Sequence, residues 1–527
     1  DQTLYNIVLP PFKAAVDAGV ASVMNAFQDL NGIPATAHRK LQRDLLKGEW
    51  GFTGVVLSDW ASINELITHG YAADRTAAAV AAITAGSDMD MEARIYEEQL
   101  PELVRSGAVD EALINDAARR VLKLKFQLGL FDDPYRYSDA QREQDNLLTE
   151  EHLRAARETG AASIVLLKND ENLLPLERNG KKIAVIGQLA ESKDVVLGSW
   201  RAHANANSGV SILEGIRNAA GPGSTVRYAQ GYTLVEGERA FVYELNIVEG
   251  DRSKFPEAVR LAANTDVVIM AIGEDCYQTG EGRSQADIGL KGHQTELIRE
   301  VLKVNPNVVA VLMNGRPLAI PEVAESVPAI IEAWYLGSEM GNAVADVLFG
   351  DVNPSGKLPV SFPQHSGQEP FYYHRKSSGR PVQNEFDKGM VFWAHYTDAS
   401  KEAVFPFGFG LSYASFEYDG PEISANAGQV TVSVTLTNTS QIAGTETVQV
   451  YIRDVAASET QPARRLVDFQ KVALEPRESK IVRFDLTGEQ LGYFLSNGEF
   501  ITEDGEFEIF VGGNVRDTQS QRVEVSF

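Results

Sequence analysis

The sequence predicts a multidomain protein in which α/β architecture is followed by an all-β domain. Short apolar strands alternate with helices over residues 1–135, and the same alternation returns over residues 181–365. Over residues 415–527, short strands instead alternate apolar and polar residues. Strand–helix alternation is typical of sheets covered by helices, whereas apolar–polar alternation indicates strands with one buried face. Residues 136–180 are predicted to be a linker with a helix, and residues 366–414 to be connecting loops.

The first block contains about three strand–helix units, whereas a closed (β/α)8 barrel needs eight. The predicted strands are 21–27, 54–57 and 87–91, and the predicted helices are 9–19, 41–49, 61–68, 76–85 and 110–128. Residues 1–135 are therefore expected to form the C-terminal half of a (β/α)8-type barrel. Half a barrel would expose unpaired strand edges and apolar side chains. We therefore expect the functional molecule to include an upstream barrel half, in the same polypeptide or as a separate fragment.

The second block predicts an α/β sandwich domain. Its strands are continuous apolar runs, which suit strands that are buried on both faces, as in a parallel sheet. The predicted strands are 182–187, 267–272, 308–313 and 329–334, and the predicted helices are 288–303 and 341–349. A further helix at 150–168 is expected in the linker that precedes this block.

The third block predicts a small β-sandwich. Residues 430–436 and 447–452 alternate apolar and polar side chains with a strict period of two. Further short strands are expected at 467–474, 481–486 and 506–512. About 110 residues of short alternating strands joined by turns are typical of an immunoglobulin or fibronectin type domain.

Composition excludes several classes of partner and site. The net charge of −25 disfavours nucleic acid and anionic membrane surfaces, since both would be repelled. Cys276 is the only cysteine, so neither an internal disulfide nor a cysteine-based zinc site is possible. The eight histidines are scattered without ligand spacing, and no apolar run approaches the length of a membrane span. The sequence therefore predicts no metal, no cofactor, no nucleic acid and no membrane partner.

Asp59 is the strongest candidate for chemistry, because an apolar strand leads directly into this acid and then into Trp60. An acid at the carboxyl end of a buried parallel strand lies where barrel enzymes keep their catalytic groups. A carboxylate can attack an anomeric carbon, and an adjacent indole can stack on a pyranose ring. The alternative is that Asp59 only caps the helix at 61–68, a role that aspartate fills well.

Four motifs in one colinear order resemble glycoside hydrolase family 3. The segment 51–60, which reads Gly-Phe-Thr-Gly-Val-Val-Leu-Ser-Asp-Trp, resembles the nucleophile strand of that family. The segments 30–35, 353–359 and 405–413 resemble three further motifs. The resemblance implies a barrel, an α/β sandwich and a fibronectin type III-like domain, with the active site between the first two. Members are exo-acting retaining hydrolases of β-linked sugars, and the nearest in pattern are bacterial, often periplasmic, β-glucosidases.

The resemblance implies two catalytic carboxylates, as retention requires. Asp59 matches the nucleophile. The acid/base comes from the loop 273–284, where the family pattern falls on Glu281, with Glu274 as the second choice. Glycines on both sides of Glu281 suit an acid that must reach across a cleft. In a sugar-bound state the two carboxyls are expected to lie about 5–5.5 Å apart, the spacing of a retaining pair.

Three aromatic residues are candidates for substrate binding. Trp60 is expected to form one wall of a sugar site, with packing at the top of the barrel as the alternative. Trp200 lies in a loop after the first strand of the second block and is a candidate for a second wall. Phe27 aligns with a tyrosine that the family often has near the nucleophile, but it cannot donate a hydroxyl hydrogen bond.

Three polar residues near these candidates are expected to be structural. Glu65 lies six residues after Asp59 and is expected to make a salt bridge or hydrogen bond inside the barrel. His293 and Gln294 open the helix that follows the Glu281 loop, where they are expected to cap the helix or face solvent.

Together these features predict a retaining exo-β-glycosidase that releases terminal β-D-glucose from β-glucosides and cello-oligosaccharides. The alternatives are a β-xylosidase of the same family and a carbohydrate-binding homologue without catalysis. The partner is a small oligosaccharide, and a homodimer is compatible with this prediction. A periplasmic or secreted location is expected from the resemblance, although no signal sequence is visible in the chain.

Overall fold

The computed structural model describes residues 2–201, 204–382 and 389–527. The chain divides into two compact units. The first unit extends to Leu147 and also contains Phe494–Phe500, and the remaining residues form the second. Among the described residues, no helix combines the length and the apolar character that crossing a membrane requires.

The first unit combines short strands with six α-helices in its described part. Its strands are β1 Ser22–Met24, β2 Asp29–Leu30, β3 Ile33–Pro34 and β4 Val55–Leu57. Its α-helices are α1 Leu9–Asp17, α2 Ser62–Thr68, α3 Arg75–Ala85, α4 Ile95–Arg105, α5 Glu111–Gln127 and α6 Ala140–Asn146. Two wider π-helical segments occupy Leu4–Val8 and Lys40–Glu49. Apolar residues of α2, α3, α4 and α5 form the main core of this unit.

Two strands of the first unit, β1 and β4, pair in the parallel sense that a βα repeat predicts, whereas the short pair β2 and β3 is antiparallel. β1 and β4 are parallel, with Val23 opposite Val56. The third predicted strand, 87–91, is wrong as a strand, because it makes only one parallel bridge, between Leu57 and Met89. The carboxylate of Asp88 accepts a hydrogen bond from Val56 N at 2.9 Å, so a side chain takes the place of a ladder bond there. That residues 1–135 form the C-terminal half of a (β/α)8-type barrel remains a prediction.

A buried ion pair ties this strand edge to the helical segment before it. Lys47 Nζ lies 2.6 Å from Asp88 Oδ1, and both side chains are almost completely buried, at 4% and 2% exposure. Lys47 also donates to Gly86 O at 2.7 Å. Burial lowers the pKa of Lys47, and the Asp88 charge opposes that shift. The pair therefore fixes the segment beside the Asp59 strand, at the cost of desolvating two charges.

Residues 494–500 join the first unit through the start of the chain. Asn6 Nδ2 donates to Phe494 O at 2.7 Å, and Phe494 N donates to Asn6 Oδ1 at 2.8 Å. The rings of Tyr5 and Phe494 stack with centroids 5.8 Å apart. Gly498 has φ +90°, and a Cβ there would lie 2.6 Å from the Tyr5 ring. A side chain at Gly498 would therefore displace Tyr5.

The second unit begins with an α/β part built on one six-stranded sheet. Its sheet strands are β5 Val165–Asn169, β6 Lys182–Ile186, β7 Thr225–Ala229, β10 Val267–Gly273, β11 Val308–Met313 and β12 Ala329–Glu332, with the short pair β8 Val235–Glu236 and β9 Asn246–Ile247 outside that sheet. Its helices are α7 Glu150–Ser163, α8 Ile212–Ala219, α9 Phe255–Ala262, α10 Gln294–Leu302, α11 Pro321–Ser326 and α12 Met340–Leu348. The sheet order is β5-β12-β11-β10-β6-β7, and only β5 runs antiparallel to its neighbour.

The central strands β10 and β11 are buried on both faces, as their continuous apolar sequence predicts. β11 has the predicted bounds, 308–313. The sequence prediction missed β5 and β7, and it placed a helix over 150–168 where α7 ends at Ser163. β5 pairs antiparallel with β12, and this long-range pairing turns the apolar end of the predicted helix into a strand.

One acid is enclosed at the carboxyl end of this sheet. Glu332 closes β12 with no exposed surface. Trp334 N donates to its Oε1 at 2.9 Å, and Asn314 Nδ2 donates to its Oε2 at 3.2 Å. Burial raises the pKa of Glu332 to about 8. Burial therefore favours the protonated form of the Glu332 carboxyl in the folded protein.

The C-terminal β-sandwich consists of a three-stranded and a four-stranded antiparallel sheet. The first has the order β13-β14-β17, from β13 Phe416–Asn426, β14 Gln429–Asn438 and β17 Ser479–Leu486. The second has the order β16-β15-β20-β21, from β15 Gly444–Asp454, β16 Arg465–Leu474, β20 Gly505–Gly512 and β21 Thr518–Val525. Between β17 and β20 the chain forms a short helix α13 Gly488–Leu491 and the pair β18 Tyr493–Phe494 and β19 Phe500–Ile501.

The period of two is confirmed in β14, whereas β15 is buried on both faces. The outer face of β15 packs against the α/β part of the same unit. Gln449 Nε2 donates to Gly408 O at 3.1 Å, and Lys357 Nζ lies 2.9 Å from Glu446 Oε1. Polar residues on this strand were expected to face solvent, but they satisfy buried groups of the neighbouring domain instead.

We expect Lys47→Met to destabilise the first unit by about 3–5 kcal/mol, because it leaves the Asp88 charge buried without its partner. Urea unfolding measures the loss. Lys47→Met combined with Asp88→Asn should lose less, because both charges are then gone. Lys13→Met, which breaks an exposed pair with Asp17, is the matched control. A loss no larger than that control would show that Lys47 does not compensate Asp88.

We expect Glu332→Gln to flatten the pH dependence of the free energy of unfolding. The carboxyl has a pKa of about 8 when folded against a reference value of 4.5, so between these values the folded state holds a proton that the unfolded state releases. Stability therefore falls as pH rises through this window. Each pKa unit corresponds to about 1.4 kcal/mol, so the penalty above pH 8 amounts to several kcal/mol. Urea unfolding at a series of pH values measures it, and an unchanged slope would contradict the assignment.

Candidate active site

Asp59 lies two residues beyond the end of β4, as predicted, and its carboxylate is half-buried. Oδ1 accepts a hydrogen bond from Trp60 N at 2.7 Å. Within the described residues, Oδ2 has no hydrogen-bond or ion-pair partner. The capping interpretation is wrong, because α2 begins after Ala61 at φ +54° and no side chain caps it. The carboxylate is therefore directed by one backbone contact and keeps one oxygen available for chemistry.

The backbone around Asp59 is fixed by the segment that follows α3. Ser58 is completely buried, and its N–H donates to Met89 O at 2.9 Å. Ser58 Oγ donates to Asp59 O at 2.9 Å and accepts from Met91 N at 2.8 Å. The turn that carries Asp59 therefore has little freedom to rotate its carboxylate away.

A buried polar cluster holds the neighbouring strand end in register. Asn25 follows β1, and its N–H donates to Leu57 O at 3.0 Å. Its Nδ2 donates to Ser87 Oγ at 2.8 Å, and its Oδ1 accepts from Thr36 Oγ1 at 3.1 Å. Thr36 also contacts Ser62 Oγ at 3.0 Å. Buried hydroxyl and amide groups that satisfy one another specify a single arrangement, which rigidifies the edge carrying Asp59.

The two aromatic candidates of the first unit differ in exposure. The Trp60 side chain is 62% exposed, so it is free to stack on a ligand and does not pack into the core. Phe27 is half-buried, and its carbonyl oxygen lies 3.1 Å from His69 Nε2 at the end of α2. Glu65 lies in the first turn of α2, six residues after Asp59, and its side chain is half-buried.

Glu281 lies in the loop between β10 and α10, in the second unit, and it is exposed. Gly280 at φ +107° and Gly282 at φ +68° flank it, and both values are unfavourable for residues with a side chain. Among the described residues, its carboxylate has neither a hydrogen bond nor an ion pair. A free carboxylate on a glycine-flanked turn is what a mobile acid/base requires.

Glu274, the second choice, has a different environment in the same loop. Its side chain is 2% exposed, and Oε1 lies 3.1 Å from Arg316 Nε. Oε2 is buried and has no hydrogen-bond partner in the described part of the chain. Burial raises the pKa of Glu274 to about 7, against the opposing charge of Arg316. Such a pKa suits a general acid, whereas burial and the ion pair with Arg316 keep this carboxylate away from solvent.

Trp200 packs close to the Glu281 turn within the second unit. Its indole is 68% exposed and meets the Phe241 ring edge-on, with centroids 5.4 Å apart. The adjacent Arg201 donates to Tyr277 Oη at 2.8 Å, and a Cβ on Gly280 would come within 2.7 Å of Ser199 Oγ. Exposure and proximity to the Glu281 turn fit the predicted second wall of a sugar site.

Sequence reasoning missed two residues that hold the Glu281 loop. Gln294 was expected to cap α10 or face solvent, but it is fully buried and binds both the N–H and the carbonyl of Gly273, at 2.8 and 2.9 Å. Arg316 is the second residue, and the sequence analysis assigns it no role. It follows the buried strand β11, in the sequence Asn-Gly-Arg-Pro, so the criterion that identified Asp59 would also have identified it.

Family models match three separate segments of the chain. Residues 1–124 match the Glycosyl hydrolase family 3 N terminal domain. Residues 164–413 match the Glycosyl hydrolase family 3 C-terminal domain, and residues 446–515 match the Fibronectin type III-like domain. These segments follow the order that the four sequence motifs indicate.

Characterised relatives match nearly the whole chain. It is 40% identical to the periplasmic beta-glucosidase of Salmonella typhimurium, over 97% of this chain and 68% of that protein. It is 38% identical to a beta-xylosidase of Formosa agariphila, over 98% of this chain and 70% of that protein.

A solved structure shares the fold. The beta-glucosidase from Listeria innocua in complex with glucose superposes with a TM-score of 0.91 at 38% identity, over 100% of this chain and 70% of that one. A mutant of the same enzyme has been solved in complex with laminaribiose, and it is 37% identical to this chain. Family models over both main domains, relatives at this identity and the shared fold lead to one conclusion: the chain belongs to glycoside hydrolase family 3.

Proposed function

We propose that this glycoside hydrolase is a retaining exo-β-glucosidase, in which Asp59 is the nucleophile and Glu281 is the acid/base. The observation that carries the proposal is Asp59 itself, a carboxylate fixed at a strand end with one oxygen free. The names of the Salmonella and Listeria relatives support glucose as the sugar. The Salmonella relative also supports a periplasmic or secreted location.

In this mechanism Asp59 attacks the anomeric carbon while Glu281 protonates the departing oxygen, which gives a glycosyl ester and a free alcohol. Glu281, now ionised, removes a proton from water, and that water displaces Asp59 with a second inversion. The two carboxylates differ as the two roles require. Asp59 is held by a backbone N–H, whereas Glu281 is exposed on a turn with glycines that allow it to move.

Trp60 and Trp200 are proposed as the aromatic walls of the sugar site, since both indoles are largely exposed. Because stacking on an aromatic ring is an apolar contact, these walls would not distinguish sugars that differ only in the arrangement of their hydroxyl groups. Phe27 can contribute only apolar contact.

β-Xylosidase activity is a second candidate, because a Formosa beta-xylosidase is 38% identical to this chain. The ratio of kcat/KM for an aryl β-D-glucoside to that for the matching β-D-xyloside decides between the two. A homologue that only binds carbohydrate would hydrolyse neither.

Asp59→Asn is expected to lower kcat by roughly 10³-fold or more, because an amide cannot form the glycosyl ester. The amide oxygen can still accept the hydrogen bond from Trp60 N, so the fold should persist. A mechanism-based fluoro-glucoside should label Asp59, as peptide mass spectrometry would show. Glu65→Gln, which removes the nearest carboxylate on α2, is the matched control and should keep most activity. Labelling of Glu65 or Glu274 would refute the assignment.

Glu281→Ala is expected to slow cellobiose hydrolysis by about 10²–10⁴-fold, the usual contribution of a general acid. A dinitrophenyl β-glucoside should suffer much less, because its leaving group needs no proton, and azide should restore part of its rate by replacing the missing base. Glu300→Ala, which removes a half-buried glutamate of the same unit from its pair with Lys303, is the control. Equal losses on both substrates without azide rescue would exclude Glu281, and Glu274 would be tested next.

A further inference from the structure

Arg316 contacts the Glu281 loop on both sides of the acid. Its Nη2 donates to Gln278 O at 2.7 Å and to Arg283 O at 2.9 Å. Gln278 lies three residues before Glu281, and Arg283 lies two residues after it. One guanidinium nitrogen therefore closes the base of the turn whose tip carries Glu281.

Three further hydrogen bonds close the same turn. Gln285 Nε2 also donates to Gln278 O at 3.0 Å, and Arg283 Nε donates to Tyr277 O at 2.7 Å. Arg283 N donates to Gly280 O at 3.2 Å. The turn is therefore fixed where it leaves the protein, and only its glycine-flanked tip remains free to adjust.

Arg316 is itself anchored to the rigid sheet. It follows β11, and its guanidinium pairs with Glu274, which follows the neighbouring strand β10. Tyr335 Oη donates to Glu274 O at 3.0 Å, and Gln294 binds Gly273 through both its amide atoms. The position of the turn is thus set by two adjacent strand ends, not by the loop alone.

We propose that Arg316 is a positioning residue, which holds the turn so that Glu281 is presented to the glycosidic oxygen. The proposal rests on the proposed role of Glu281. General acid catalysis depends steeply on placement, since a displacement of about 1 Å can cost 10²-fold in rate. A planar guanidinium suits this task because one nitrogen binds the two carbonyls while another faces the carboxylate of Glu274. A lysine has one ammonium nitrogen, so it cannot bind the two carbonyls through one nitrogen and face Glu274 through another.

The ion pair with Glu274 must be separated from the contact with the turn. Arg316→Met alone would leave Glu274 buried and unpaired, which could unfold the domain. The informative protein is therefore the double variant Arg316→Met, Glu274→Gln, in which no unpaired charge is buried. Glu274→Gln alone keeps the bonds from Arg316 to Gln278 and Arg283. Arg299→Gln, which breaks an exposed pair with Glu322, is the control for loss of an arginine.

The experiment compares kcat/KM for cellobiose and for a dinitrophenyl β-glucoside in the full-length protein, with the thermal midpoint as the check on folding. The double variant should lose about 10- to 100-fold on cellobiose and less than about threefold on the activated glucoside. Glu274→Gln and Arg299→Gln should keep the wild-type ratio of the two rates. A purely structural role for Arg316 would lower both rates together and would overturn the proposal, as would an unchanged ratio.

Glu281→Ala, measured beside these variants, separates the two levels of inference. If Glu281→Ala shows the leaving-group signature and the double variant does not, only the positioning role fails. If Glu274→Gln alone shows that signature with azide rescue while Glu281→Ala does not, Glu274 is the acid/base, and both the proposed role of Glu281 and the role of Arg316 fail. If Arg316→Lys with intact Glu274 restores the wild-type ratio, charge and not the two-carbonyl contact is sufficient, which also overturns the proposal.

Discussion

The desolvation of carboxylates is the constraint on which both strand-end regions depend. A buried carboxylate needs a cation, a set of donors or a proton. Asp88 has Lys47, Glu274 has Arg316, and Glu332 has two donors and a raised pKa. Each solution uses the acid to tie secondary-structure elements together and shields its carboxylate from solvent. Asp59 and Glu281 differ from these acids because their turns leave the carboxylates accessible to solvent, partly for Asp59 and fully for Glu281.

The contrast between buried and accessible acids explains why local sequence indicated the candidate acids but not the residues that hold the loops around them. Asp59 ends a continuous apolar run, and Glu281 lies between two glycines, so local sequence carries both signals. Glu332 also ends an apolar run, and nothing in that run shows that Asn314, which follows another strand, donates to its carboxyl. The difference between an accessible and a buried acid is set largely by residues outside the local apolar run, such as Lys47 for Asp88 and Arg316 for Glu274.

The same reason accounts for the errors in the fold. The bounds of β11 were predicted correctly because a central strand is apolar throughout. β5 was assigned to a helix because its identity as a strand comes from pairing with β12, more than 150 residues later. The outer face of β15 has polar residues, and only contact with Gly408 and Lys357 shows that they are buried.

The contact of Asn6 and Tyr5 with residues 494–500 has a consequence for how the protein is made. Asn6 and Phe494 are 488 residues apart in the chain. At a synthesis rate of about 5–20 residues per second, roughly 25–100 s pass between the appearance of the two partners on the ribosome. Throughout that interval the aromatic and amide groups at the start of the chain lack their binding partner. The contacts of Asn6 and Tyr5 are therefore completed only after residues 494–500 have been translated, and a ribosome that stalls before those residues would leave these contacts unmade.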